Sequence, residues 1–395
     1  MIGTCDSRRK EYRARDRGYS FAQRRRGSTL SAYVGRSAVP PLGQGLSEMP
    51  LESGHEAAPL EGEELERQEK DYVGFNHGIA RFTPGNWFLP TAFTQFANKI
   101  YNFEWQPNDV LVMGYPRSGT VWLQEVIWTM RCNPDLDNPM AVLPILGRTP
   151  YVDMDMLMDG KKMPAITPEN PMVKAFMQLC PGGNPADGVC VQIAAATPGL
   201  RTIKCHLPLS LLHPKTLTKA KAVYVARNCR DVLVSIHHHC RLLPTFGYKG
   251  SLEEFLPYFM DDEVVYGPYW LHIKEAWEKK GDPNLHFVFY EDFQKDVKAE
   301  VKKLNEFLGT GLTEEQMDKV IKHTSFEEMK KRDNVIGPKS SENPMMDPKV
   351  VEEHGGFFRK GEVGDWKSKL SAETVEKLDK WIQEKLSDVP FKYTV

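Results

Sequence analysis

The stretch VLVMGYPRSGTVWLQEVIW, residues 110–128, constrains this chain more than any other. An apolar run reads as a buried strand, a Gly/Ser loop follows, and an amphipathic segment then reads as a helix. A strand that enters a helix through such a loop points several free backbone N–H groups at one spot, and the helix dipole adds positive potential there. That is the layout of a phosphate-binding loop. The nucleoside-triphosphatase signature, however, ends in Gly-Lys-Ser/Thr, whereas Gly119 is followed by Thr120 and Val121, and an arginine, Arg117, sits inside the loop. Arg117 offers a fixed charge and a fork of donors to phosphate-like oxygens. Ser118, Gly119, Thr120 and Val121 extend the cradle, and Trp122 is placed to stack on a base. The bland alternative is a plain strand–turn–helix joint with Trp122 in the core.

Three further apolar runs read as strands: TIKCHLP (202–208), KAVYVARN (221–228) and LHFVFYED (285–292). Each alternates with longer amphipathic segments, which predicts βαβ units and an α/β fold with a central parallel sheet flanked by helices. Thr313 and Gln316 stand at capping-box spacing. Residues 159–200, rich in Pro, Gly and Met, and residues 333–358 read as long loops of the kind that form lids or binding segments.

The start of the chain reads differently. Residues 1–45 carry ten basic and three acidic side chains, and residues 46–71 reverse this with nine acids against two bases. Opposed charge blocks without helix-grade apolar periodicity predict a disordered tail over 1–71, with the folded body at 72–395. Asp6, Glu11 and Asp16 count against a transit peptide.

Charge and composition exclude some classes. A net charge of -2 gives no bulk attraction to nucleic acid. No apolar run approaches the ~18 residues of a membrane span. Seven cysteines, an odd number with no C-x-x-C pair, fit a reducing compartment rather than a disulfide framework.

Other candidate residues cluster in the sequence near strand ends. In YVARNCRDVLVS, Arg227 follows a strand and Ser235 lies on the next helix, a pairing suited to a second phosphate or to a surface salt bridge with Asp231. In RTIKCHLP, Lys204 and His206 alternate on one strand face, and His206 is either a structural hydrogen-bonder or a base. FFRKGEVGDWK places Phe357, Phe358, Arg359, Lys360 and Gly361 in a basic turn. His237, His238 and His239 are consecutive. On a helix they point about 100° apart and cannot share one metal ion.

Taken in order, YPRSGTVW, IKCHLPLSLL, VYVARNCRDVLVS, FYEDF, HTSFEEMKK and FRKGEVGDWK resemble the cytosolic sulfotransferases, which use 3′-phosphoadenosine 5′-phosphosulfate (PAPS). The resemblance covers roughly residues 72–395. It implies a P-loop, nucleotide-kinase-like sulfotransferase fold in a cytoplasmic enzyme that needs no metal. Sulfuryl transfer would run from PAPS to a hydroxyl or amine of a small apolar acceptor such as a phenol or steroid. By the same resemblance Arg117 to Trp122 grip the 5′-phosphosulfate, and Arg227 and Ser235 hold the 3′-phosphate. Tyr290, Thr324, Ser325, Phe326 and Met329, with Phe357 to Gly361, complete the cofactor site. His206 is the implied base, with Lys204 and Arg117 acting beside the transferring group.

The chain also departs from the family pattern. Arg117 stands where most members have lysine, Val121 where they have threonine, and Cys205 in place of the threonine of Lys-Thr-His. The homodimer motif keeps its ends, Lys367 and Glu376, but not its centre. The segment between Tyr151 and Leu200 is longer than the pattern implies, and Met154, Met156, Met158 and Met163 make it a candidate lid over the acceptor. The alternative is a catalytically weak PAPS-, nucleotide- or lipid-binding protein on the same fold.

Overall fold

The computed structural model describes residues 51–75, 78–158, 171–332 and 346–389. Seven strands fall into two sheets. The first is antiparallel, with β1 (Glu56–Pro59), β2 (Ile79–Thr83) and β3 (Trp87–Pro90) in that order. The second is the expected parallel sheet. It contains β4 (Val110–Met113), β5 (Thr202–Cys205), β6 (Lys221–Ala226) and β7 (Leu285–Phe289), in the order β5-β4-β6-β7.

Both faces of this second sheet are covered, and β4 shows why. Val110 and Val112 pack with Leu123, Val126 and Ile127 of the following helix, while Leu111 and Met113 face the larger core on the other side. Period-two alternation of apolar residues on both sides is what a buried parallel strand requires. The chain leaves β4 for β5 on one side and later crosses to β6 on the other, so β4 marks the topological switch point. Crevices at the carboxyl ends of such strands bind ligands. Met113 lies opposite Cys205 and Tyr224, and Ala226 opposite Phe289. The residues that directly follow the four strands are therefore Gly114, His206, Arg227 and Tyr290, all on one edge.

Three expectations need correction. Residues 51–71 are not tail: they form β1 and the helix Gly62–Asp71, with Leu51 and Leu60 buried. The acidic block finds partners in the body, since Arg81 Nε donates to Glu64 at 3.0 Å and Arg67 pairs with Glu263. Residues 171–200 are not a bare loop but carry the helices Pro171–Leu179 and Val189–Ala196. Asp155 caps the second of these from a distance, accepting the N–H groups of Val189 (2.8 Å), Cys190 (2.9 Å) and Val191 (3.0 Å). A carboxylate there satisfies orphan donors and complements the dipole. Residues 348–354 form a helix started by Asp347, whose carboxylate accepts from Lys349 N–H at 2.9 Å. Residues 159–170, with Met163, and 333–345 lie outside the described residues, as do 1–50.

The helices after the strands run as their patterns predict. The Thr313/Gln316 capping box is formed in both directions. No helix among the described residues is long and apolar enough to cross a membrane. Cys132, Cys180, Cys190, Cys205, Cys229 and Cys240 are free thiols.

Candidate active site

The loop after β4 holds a tight path. Gly114 and Gly119 have φ of 153° and 110°, and a Cβ on them would lie 2.4 Å from Val225 O and 2.6 Å from Tyr290 Cδ2. No other residue fits either place. Arg117 itself takes a left-handed φ of 71°. The helix Thr120–Cys132 begins at once, so its first-turn N–H groups have no carbonyl within the helix and face the crevice.

Cations gather over this loop. Arg117 donates from Nε to Ser235 Oγ (3.0 Å) and from Nη2 to Phe357 O (3.3 Å), and its guanidinium lies 4.3 Å from the centre of the Phe357 ring. Arg227 donates to the carbonyls of Arg117 (3.3 Å) and Glu362 (3.0 Å), and lies over Tyr290 at 4.4 Å. Burial, with Arg227 and Arg359 nearby, pulls the Arg117 pKa down to about 9. Burial pulls Lys204 down to about 8 despite the attraction of Asp153. Both stay cationic at pH 7, and both would be relieved by an anion. Asp365 balances Arg359 and Lys360 at 2.5 Å each. Asp231 stands 4.0 Å from Arg227 but spends its oxygens on the N–H groups of Gly364 (2.8 Å) and Trp366 (3.3 Å).

A bisphosphorylated nucleotide fits this set. Arg227 Nε is buried with no hydrogen-bond partner among the described residues, and an unfilled buried donor of this kind awaits an acceptor. Aromatic walls flank the cations. Trp122 packs edge-on against Tyr290 and Phe293 and donates Nε1–H to Thr324 O at 2.8 Å. Phe326 lies against Gly361, where a Cβ would sit 2.3 Å from its ring. Gln294, which the sequence did not single out, ties Gly361 O (3.1 Å) to Tyr290 Oη (2.9 Å).

Of the sequence-predicted residues, Arg117, Gly119 to Trp122, Lys204, His206, Arg227, Ser235, Tyr290, Phe326, Met329 and Phe357 to Gly361 all line one cavity. Ser118, Thr324 and Ser325 do not reach its wall. Ser118 is buried beneath the loop, Thr324 is buried with its hydroxyl on Val320 O, and Ser325 caps the helix Phe326–Lys331. The three consecutive histidines diverge, and no metal-binding group appears among the described residues. Lys367 and Glu376 are both exposed and line a separate shallow groove with Trp366 and Val375.

His206 is held where the loop begins. Its Nδ1 meets Gly114 O at 2.5 Å. A carbonyl can only accept, so Nδ1 carries the proton and Nε2 keeps the lone pair. Burial first, and the Lys204 charge second, hold the imidazole well below its usual pKa and therefore neutral at pH 7. Asp153 is a buried partner that the sequence did not reveal. It accepts His206 N–H (3.2 Å) and Tyr266 O–H (2.7 Å), and Tyr266 meets Tyr151 at 2.6 Å. The Tyr151 ring in turn carries Lys204 Nζ, 4.2 Å from its centre. Burial pushes Asp153 up to about 6.

The same cavity takes in an apolar chamber, for a total of about 1410 Å³. That exceeds the roughly 300–1,000 Å³ of a typical single-ligand site and leaves room for two ligands. Met140, Met154, Met158 and Met172 line it, as do Ile193 and Leu179 from the helices of the extra segment. Met156 is core instead.

Known proteins resemble this chain over most of its length. The family model of the sulfotransferase domain matches residues 107–390. Sulfotransferase 1E1 of Bos taurus is 33% identical over 82% of this chain and 96% of its own. Sulfotransferase 1A1 of Mus musculus is 34% identical over 73% and 87%. Among solved structures, retinol dehydratase in a complex with retinol and PAP aligns with a TM-score of 0.75 at 31% identity, covering 88% of this chain and all of that one.

Proposed function

Since the chain belongs to the sulfotransferase family and is a PAPS-dependent enzyme, we propose that His206 is its general base and that its acceptor is an extended apolar phenol or alcohol. PAPS, when bound, supplies an activated sulfuryl group. Arg117 and the N–H groups of residues 119–122 would hold its phosphosulfate. Arg227 and Ser235 would hold the 3′-phosphate, with Arg359 and Lys360 alongside, and Trp122 and Phe326 would flank the adenine. His206 Nε2 takes the proton of the acceptor hydroxyl, and the Gly114 carbonyl steadies the imidazolium through Nδ1–H. General-base catalysis of this kind contributes about 10²–10⁴-fold. Lys204 and Arg117 place positive charge where negative charge develops on the leaving oxygen. The chamber walls keep water from the reacting atoms.

The observation that carries this reading is the Nδ1 contact of His206 with Gly114, the first residue of the anion loop. The chamber's methionines and its volume favour an extended apolar acceptor, and the retinol held by the neighbouring dehydratase structure is of that class. The test is transfer of label from PAPS to a panel of phenols, steroid alcohols and retinol. Labelled product from at least one extended member is expected. PAP binding with no transfer to any member would overturn the acceptor class. The homodimer implied by Lys367 and Glu376 is a separate proposal, tested by the mass in solution of the wild type and of Glu376→Lys.

A further inference from the structure

One polar side chain in the cavity wall has no part in this scheme. His239 lies on the helix Cys229–Leu242, four residues after Ser235 and on the same helix face. Ser235 serves the cationic end through Arg117. Past His239 the wall continues as Cys240, Leu243, Pro244, Thr245 and Phe246, mostly apolar. His239 therefore stands at the boundary between the two ends. Its ring packs edge-on against Phe357, 5.9 Å between centres, and beside Phe246 at 5.5 Å.

Both neighbouring histidines are satisfied, His237 by Gly250 O at 3.1 Å and His238 by Gly356 O at 3.2 Å. His239 is not. Its Nδ1 is buried with no hydrogen-bond partner among the described residues. A purely structural role would be served better by an apolar ring, because an unmatched buried polar group costs stability. Burial, with Arg117 and Lys204 facing the ring, keeps the imidazole uncharged. A neutral imidazole in an apolar wall suits a neutral oxygen, to which it donates or from which it accepts.

We propose that His239 is a specificity-determining residue, hydrogen-bonding an oxygen of the acceptor other than the one that is sulfated. This rests on the sulfuryl-transfer reading above. It makes the preferred acceptors hydroxy-ketones, diols and like compounds, in which two oxygens are separated by an apolar frame. A site built to bond an oxygen discriminates strongly against the analogue that lacks it.

The test compares 4-alkylphenols with their ω-keto counterparts over a ladder of chain lengths, since each carries only one sulfatable group. In the wild type, kcat/KM should favour the ketone by about tenfold or more at one length. His239→Phe should bring that ratio to about one, and His239→Gln should retain part of it. A ratio near one at every length in the wild type overturns the proposal, as does an unchanged ratio in His239→Phe. So does a large loss of PAP affinity in either variant, which would assign His239 to the cofactor end. Should the wild type turn over neither these phenols nor any alcohol of the panel above, the acceptor reading itself fails. The same ladder titrated into the protein–PAP complex then decides on His239 by the same ratios.

Discussion

The two ends of the cavity are built on opposite plans. At the cofactor end almost every atom is specified. Gly114 and Gly119 admit no side chain, Arg117 is fixed by Ser235 and Phe357, and Gly361 is pressed against Phe326. At the acceptor end the wall is methionine, leucine and isoleucine from several segments, with few directional groups. A ligand that never changes is met by backbone geometry and buried charge. One whose shape varies is met by unbranched side chains that adapt. His206, Lys204 and the Asp153–Tyr266 pair sit where the two plans join, which on the proposed reading is where a proton leaves the acceptor.

The strongest way to break this contrast is His206→Ala. Turnover should fall by about 10²–10⁴-fold while PAP affinity stays near that of the wild type. Parallel losses in both would show that the two ends are not separable. Next in size, Arg117→Ala should weaken PAP by about 10–100-fold, the worth of one or two charge-assisted hydrogen bonds. Arg117→Lys should restore charge but not the fork to Ser235 and Phe357, and so recover only part of it. Asp153→Asn should lower kcat by about tenfold, because the amide still accepts from His206 N–H but no longer supports the Lys204 charge. An effect on PAP affinity alone would place Asp153 with the cofactor plan instead.

The smallest effect is that of pH. Burial pulls Lys204 down to about 8 in the free protein, and its protonated form is the one that holds an anion. PAP should therefore bind best below pH 8 and weaken as pH rises through that value. Titration at pH 7 and pH 9.5 checks the sign. Affinity that rises with pH would remove Lys204 from the site.

That most residues named for a cofactor site line one cavity was legible in the sequence because their signals are local. A strand, two glycines, an arginine and a helix start lie within eleven residues, and the Arg227/Ser235 pair lies on one strand–helix junction. The joining region was not. His206 could be named, but Asp153 and Tyr266 meet it across 53 residues or more, and no spacing marks them. Gln294 was invisible for the same reason, since it joins Gly361 from 67 residues away. Pro and Gly made 171–200 look like a loop, yet Asp155 supplies the cap that the helix Val189–Ala196 lacks locally. The acidic block before Tyr72 looked like solvent-facing charge, until Arg81 and Glu263 from the body paired with it.

The central claim is that recognition belongs to the cofactor end and proton transfer to His206. Titration of PAP and of 5′-AMP into the wild type, Arg227→Ala and His206→Ala tests it most directly. Loss of the 3′-phosphate contacts should make AMP about 100-fold weaker than PAP in the wild type. That preference should fall below about tenfold in Arg227→Ala and persist in full in His206→Ala. Equal affinity for the two nucleotides in the wild type, or a preference that vanishes with His206 and survives without Arg227, would contradict the account.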